Sequence, residues 1–211
     1  YDVDFLFPDE RKESFKNDYL TFVTNTVDDK KRILSTLLEI ALIDPAYKNK
    51  LEEFYNANNA TTKKFGTYWM EAINASANIA PSISLYMLNR KLFSSKQLLG
   101  KWILVDFWGT WCGPCREEHH DLQKFCDSIV VTKLENISLL TIACRDTEEK
   151  VLNYLHEKQL TFPVAMSDNR IEHAYAVQGY PAKMLITPEG KYITIPFGID
   201  WLNFVKQYCD L

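Results

Sequence analysis

Two cysteines set two residues apart, in Trp111-Cys112-Gly113-Pro114-Cys115, are the side chains best placed to do chemistry. At that spacing two thiols can meet across one helical turn. The pair then suits thiol–disulfide exchange or a zinc clamp. Exchange needs a thiolate that attacks a disulfide and a second thiol that resolves the mixed disulfide. A structural zinc needs four ligands, usually from a second cysteine pair or a spaced histidine pair. His119 and His120 follow closely, but no second ligand pair does. Gly-Pro between the cysteines, at a strand–helix junction, also favours redox chemistry. Peroxide reduction would call for a lone peroxidatic cysteine after a Pro/Thr segment, and none is present.

In an exchange site Cys112 is the attacker. At a helix N-terminus, unpaired N–H groups and the helix dipole favour its thiolate, lowering its pKa from about 8.5 to about 7 or below. Cys115, one turn inside, is shielded and resolves. Pro114 is tolerated in a first turn because no intrahelical hydrogen bond is lost there. Gly113 lets a partner's backbone come close, and Trp111 with Trp108 would form an apolar rim. Cys115 must lose a proton, and two acids are placed to take it. Asp106 interrupts the apolar run Trp102-Ile103-Leu104-Val105-Asp106-Phe107-Trp108, where burial would raise its pKa. Glu118 lies three residues past Cys115 on the same helical face. Either can serve. His119, His120, His156 and His173 read as surface or packing residues. Cys126, Cys144 and Cys209 complete an odd set of five cysteines, which is no disulfide scaffold, and they read as packing thiols.

The elements that must hold this motif alternate. A buried strand over 102–108 feeds the motif into a helix reaching about Ile129. Ile137 to Cys144 is a second near-continuous apolar strand, of the kind covered on both faces in a parallel sheet. A helix begins at Asp146-Thr147-Glu148-Glu149, with Val151, Leu152 and Leu155 on its inner face. A strand over 162–166, a helix over 169–177 and two strands over 182–187 and 192–197 follow. Pro188-Glu189-Gly190 is turn composition joining those last two strands. A helix over 201–208 ends the chain. Upstream, Ile83, Leu85 and Met87 alternate in a strand over 82–88, returning through Asn89-Arg90 to Lys91-Leu92-Phe93, and Ser94-Ser95 opens a one-turn helix ending at Gly100. The class from about residue 81 is α/β. Before it, helical spacing dominates: Phe15, Tyr19, Phe22 and Val23 after Pro8-Asp9; Ile33, Leu37, Ile40 and Ala41 after Asp28-Asp29; Tyr47, Leu51, Phe54 and Tyr55 after Asp44-Pro45. A polar linker over 56–62 leads to a last helix through Tyr68, Trp69 and Ile73. The chain is therefore expected to hold a small all-α region over 1–79 and an α/β domain over 80–211.

Composition narrows the function. Of 211 residues, 46% are apolar, enough for a sizeable core, and the net charge of −4 gives no basic footprint for nucleic acid. No apolar stretch reaches the roughly 18–20 residues of a membrane helix; in the nearest, Ile33 to Ile43, Glu39 intervenes. The chain begins at Tyr1 rather than Met, so a removed or omitted upstream segment, such as a signal peptide or lipid anchor, is expected.

From about residue 80 onward the chain resembles the thioredoxin superfamily, most closely its exported TlpA/ResA-like branch. The resemblance is carried by Val105-Asp106-Phe107-Trp108, by Trp111 to Cys115, and by Gly179-Tyr180-Pro181 followed by Leu185-Ile186 and Pro188-Glu189-Gly190. It implies a thioredoxin-like fold, a central mixed sheet flanked by helices. It also implies a cis Pro181 against the active-site disulfide, with Tyr180 presenting backbone to a bound peptide. Asp106 matches the buried aspartate of thioredoxins, and Glu118 the glutamate of ResA-like proteins. The sequence departs from the family where His120 replaces a helix-kinking proline and where Ala182-Lys183 replaces small or hydroxyl residues after Pro181. The implied activity is thiol–disulfide exchange, in the reducing direction by analogy with the Gly-Pro thioredoxins. No cofactor or metal is needed beyond the dithiol. An extracytoplasmic address, protein disulfide or thiol substrates and a membrane-borne thiol donor are implied with it. A weakly active binding or chaperone module and a disulfide oxidase or isomerase are the alternatives. The helical region reads as a packed appendage or as a partner platform.

Overall fold

The computed structural model describes residues 18–22, 29–58 and 62–211. The expected first helix falls largely outside them, as do Val23 and Asp28. Tyr19 and Phe22 lie in a helical stretch over 18–22, both exposed. The chain divides into two compact units between Ala72 and Ile73.

The first unit is helical. Helix α1, Lys30–Ile43, is capped by Asp29, whose carboxylate accepts from the Lys31 and Arg32 N–H groups. Such a cap satisfies donors with no intrahelical partner. Ile33, Leu37 and Ala41 are its buried stripe. Asp44 caps a 3-10 turn, Pro45–Tyr47, that opens directly into α2, Lys48–Asn58. The third helix therefore starts with a tighter turn than its spacing implied. It also runs on to Asn58, into the expected linker. Helix α3, Phe65–Ser76, crosses the division between the units. Within the first unit Tyr68 stacks on Tyr55 with ring centroids 4.6 Å apart.

The second unit is built on a six-stranded sheet ordered β1-β8-β7-β4-β5-β6. Its strands are β1 Asn78–Ile79, β4 Trp102–Trp108, β5 Ile137–Ala143, β6 Val164–Met166, β7 Ala182–Ile186 and β8 Lys191–Ile195. Strands β4, β5 and β6 run parallel, and β7, β8 and β1 are added antiparallel. The short pair β2 Ser84–Tyr86 and β3 Leu92–Ser94 forms a separate hairpin. Helices α4 Gly113–Val131, α5 Glu148–Lys158, α6 Arg170–Ala174 and α7 Trp201–Cys209 flank the sheet. The mixed sheet flanked by helices agrees with the α/β class expected from strand–helix alternation and with the thioredoxin-like form that the family resemblance implied.

All seven residues of β4 are buried, because the central strand is covered on both faces. Ile103, Val105 and Phe107 join Leu140, Ile142, Met184 and Ile186 in the core, which Ile83 and Leu85 of the hairpin close. Register matters most at one place: the antiparallel pairing of β4 with β7 sets Asp106 directly opposite Lys183.

Several local expectations need correction: the strands expected over 82–88 and 192–197 are Ser84–Tyr86 and Lys191–Ile195. Leu152 of α5 is exposed, and Tyr154 turns inward beside Trp108 instead. The inward stripe therefore runs through Val151, Tyr154 and Leu155. The strand expected over 162–166 is confined to Val164–Met166, and the helix expected over 169–177 to Arg170–Ala174. Ala176 at φ 52° breaks the latter's helical path. Helix α4 continues unbroken past His120 to Val131, as it should without a proline to remove a hydrogen bond.

Candidate active site

Strand β4 ends at Trp108, and four residues later the chain enters α4 at the two cysteines. Gly109 makes the turn. A Cβ there would overlap the Trp111 indole and stand 3.0 Å from the Cys144 carbonyl oxygen. Thr110 N–H donates to Asp146 at 2.7 Å, and the Trp111 indole N–H donates to the Cys144 carbonyl at 3.1 Å. The motif loop is thus tied to the end of the neighbouring strand.

Cys112 and Cys115 form a disulfide, with Cα atoms 5.3 Å apart. Cys112 is the N-cap of α4, and its Sγ accepts the Cys115 N–H at 3.2 Å. That donor is one of the N–H groups a helix start leaves unpaired, so after reduction it is in place for a Cys112 thiolate. Pro114 falls in the first turn and is exposed. At Gly113 a Cβ would meet nothing within 4 Å, leaving open space beside the disulfide.

Tyr180–Pro181 is a cis peptide bond, and Pro181 is buried. Tyr180 meets Trp111 edge to face at 5.3 Å, which brings the cis-proline loop to the motif. Trp111, at 50% exposure, is the open part of this rim; Trp108 is not part of it. Trp108 is fully buried, packed against His119, Tyr154 and Phe162.

Behind Tyr180 lies a polar cluster that the sequence did not announce. The Tyr180 hydroxyl donates to Glu172, whose other carboxylate oxygen accepts from the Ser167 hydroxyl. Arg145 lies over the Tyr180 ring, 5.5 Å from its centroid. Burial pushes the Glu172 carboxyl up, but hydrogen bonds from Ser167, Tyr180 and Cys144 outweigh it and hold it below its usual range. The Cys144 thiol is driven up by burial and by that same carboxylate, so it is an inert packing thiol. Cys209 is buried and Cys126 half-buried; both are free of disulfide bonds.

The two acids share a cation. Asp106 is 1% exposed and Lys183 5%, with Nζ 3.0 Å from Asp106 Oδ1. Lys183 also hydrogen-bonds Glu118 and sits 5.3 Å from the centroid of the Trp201 ring. Oδ1 of Asp106 has ion-pair proximity without hydrogen-bond alignment. Burial drives the Asp106 carboxyl above its ordinary value, and Lys183 pulls it only part of the way back. Burial works against the Lys183 ammonium too, but Asp106 and Glu118 more than compensate and keep it charged. The sequence marked Lys183 only as a departure from the family pattern. Its signal was a lone cation in the apolar run Ala182-Lys183-Met184-Leu185-Ile186.

His119 is 2% exposed, with Nδ1 2.8 Å from the Tyr154 hydroxyl. Burial, then Lys183 and Arg116, bring its pKa down to about 4, so it packs as a neutral ring. His120, His156 and His173 are exposed.

A family model described as the AhpC/TSA family matches residues 77–194, more than half of the chain. This chain belongs to the AhpC/TSA family. It is similar to the thiol-disulfide oxidoreductase ResA of Bacillus subtilis (strain 168), 28% identical over 133 residues, covering 63% of this chain and 73% of that one. The thioredoxin-like protein YneN of the same organism is 29% identical over 132 residues, covering 63% and 77%. Among solved structures, a thiol:disulfide interchange protein of the thioredoxin family from Chlorobium tepidum TLS superposes with TM-score 0.55 at 26% identity, covering 63% of this chain and 94% of its own. The thioredoxin domain of a thiol-disulfide oxidoreductase from Bacteroides vulgatus gives 0.55 at 25%, covering 63% and 96%. With this membership the chain is a thiol–disulfide oxidoreductase of thioredoxin type.

Proposed function

We propose that the chain reduces disulfides of exported proteins through its Cys112–Cys115 dithiol. The observation that supports this most directly is the disulfide at the N-terminus of α4, with the Cys112 sulfur already accepting a helix N–H and the cis Tyr180–Pro181 loop in contact through Trp111. Cys112 attacks the substrate disulfide, releases one substrate thiol and forms the mixed disulfide. Cys115 then loses its proton to Asp106 or Glu118 and attacks Cys112, releasing the second thiol. Trp111, Gly113, Pro114, Tyr180 and Pro181 form the platform on which the substrate backbone rests. The dithiol carries both electrons, so no cofactor or metal enters the scheme.

Oxidised enzyme must then be re-reduced. In this reading the donor is a membrane-borne thiol protein and the compartment is extracytoplasmic, as the likeness to the exported ResA-like branch suggests. No helix among the described residues is long and apolar enough to cross a membrane. A redox titration against glutathione tests the direction. A reductant should lie near the thioredoxin value of about −270 mV. A value near the strongly oxidising end, about −120 mV, would replace the reductase reading with an oxidase.

A further inference from the structure

The two acids proposed to take the Cys115 proton share one cation in this fold. Lys183 reaches Asp106 across the β4–β7 ladder, in register, and reaches Glu118 on α4 with the same Nζ. Strand, strand and active-site helix therefore converge on one ammonium, closed from the other side by the Trp201 ring. A buried lysine without partners would shed its proton; this one has two. Glu118 stands three residues beyond Cys115, on the face of α4 that carries the resolving thiol.

We propose that Lys183 is a positioning residue that joins Asp106 and Glu118 into one proton-accepting unit for Cys115. This rests on the dithiol reading above and names the device that makes its second step run near neutral pH. In that step the Cys115 thiol gives its proton to a carboxylate of the unit. Its sulfur forms a bond to Cys112 Sγ, the bond between Cys112 and the substrate sulfur breaks, and that electron pair leaves on the substrate as a thiolate. An isolated carboxylate buried as deeply as Asp106 would hold a proton and have no room for another. The Lys183 ammonium works against that burial and favours the ionised, proton-accepting form of Asp106. Both carboxylates contact the same ammonium, so a change of charge on either is felt at the other. The unit, and neither acid alone, is then the acceptor.

The test separates the two chemical steps. A peptide disulfide carrying a different reporter on each half is reduced in a single turnover over a range of pH. The first reporter released follows attack by Cys112, and the second follows resolution by Cys115. Replacing Lys183 by Met, or by Gln if the Met chain does not fold, should move the acidic limb of the resolving step upward by about 1–3 pH units, the usual effect of losing a close opposite charge. At pH values below both limbs resolution then slows at least tenfold. Attack, measured alone in a Cys115→Ser background, should change less than twofold. In a chain already carrying Asp106→Asn and Glu118→Gln, which lacks the acceptor, Lys183→Met should change the rate of resolution less than twofold at any pH. An unmoved limb in the single variant, or a larger change where both acids are gone, overturns the proposal. A wild-type chain that releases neither reporter refutes the dithiol reading itself, which is a distinct outcome.

Discussion

His119 gives the structure a pH sensitivity whose size follows from its surroundings. The imidazole is enclosed by Trp108, Tyr154 and Phe162, and its pKa falls from 6.5 to about 4 on folding. Between those values the unfolded chain binds a proton that the folded chain refuses. Unfolding free energy therefore falls as pH falls through this window. The His119 contribution is whole above about pH 6.5 and lost below about pH 4. At about 1.36 kcal/mol per unit, the loss near pH 4.5 is roughly 2–3 kcal/mol. Substituting Phe keeps a ring of similar size in the cage and removes the titration. The half-buried Tyr154 hydroxyl can turn to water, so the cost at pH 7 should stay near about 1 kcal/mol. Denaturant melts of both chains at pH 7 and near pH 4.5 provide the measurement, and the carboxylates common to both cancel in the difference. His119→Phe should be less acid-sensitive than the wild type by the stated amount. Equal losses in the two chains would refute the argument, because they would mean that His119 protonates without cost in the folded state.

Two further substitutions probe the loops that frame the disulfide. Glu172→Gln turns one of the two accepting oxygens into an NH2 donor, so only one of the Ser167 and Tyr180 hydroxyls keeps its acceptor. It should cost about 1.5–3 kcal/mol, the worth of a hydrogen bond to a charged group, read as a drop in Tm. By loosening Tyr180 it should also raise KM for a protein disulfide more than for a small one. Gly109→Ala forces the Trp111 indole off the Cys144 carbonyl. A loss of about 1–3 kcal/mol, typical of overpacking, should appear together with a change in tryptophan fluorescence.

Much of this could be read from residue order because the signals were periodic or local. The β4 run is apolar almost throughout because both its faces are covered, and Cys-Gly-Pro-Cys at its end marks a helix start whatever lies around it. Asp29 and Thr147 each precede a helix and cap it as residue type suggests. The cis bond at Pro181 came only through family resemblance, since X-Pro composition is the same for either isomer. What stayed illegible depends on contacts distant in sequence. Trp108 and Trp111 look alike in a row of letters, yet one closes the core and the other lies half open above it. Glu172 and Tyr180 are eight residues apart and meet only because a five-residue helix turns the chain back. Lys183 was visible as a charge out of place; that it faces Asp106 required the register of β4 against β7, which the letters do not specify. Leu152 and Tyr154 exchange roles because α5 presents to the core a face that its short apolar pattern did not fix.

The division of labour between the cysteines is the centre of the account, and one comparison tests it. Reduced Cys115→Ser and Cys112→Ser chains are each mixed with a peptide disulfide, and the adducts are located by mass spectrometry of proteolytic fragments. The Cys115→Ser chain should accumulate a mixed disulfide on Cys112, while the Cys112→Ser chain, whose remaining motif thiol is shielded, should react at least tenfold more slowly. Faster capture on Cys115, or an adduct carried mainly by Cys126, would contradict it.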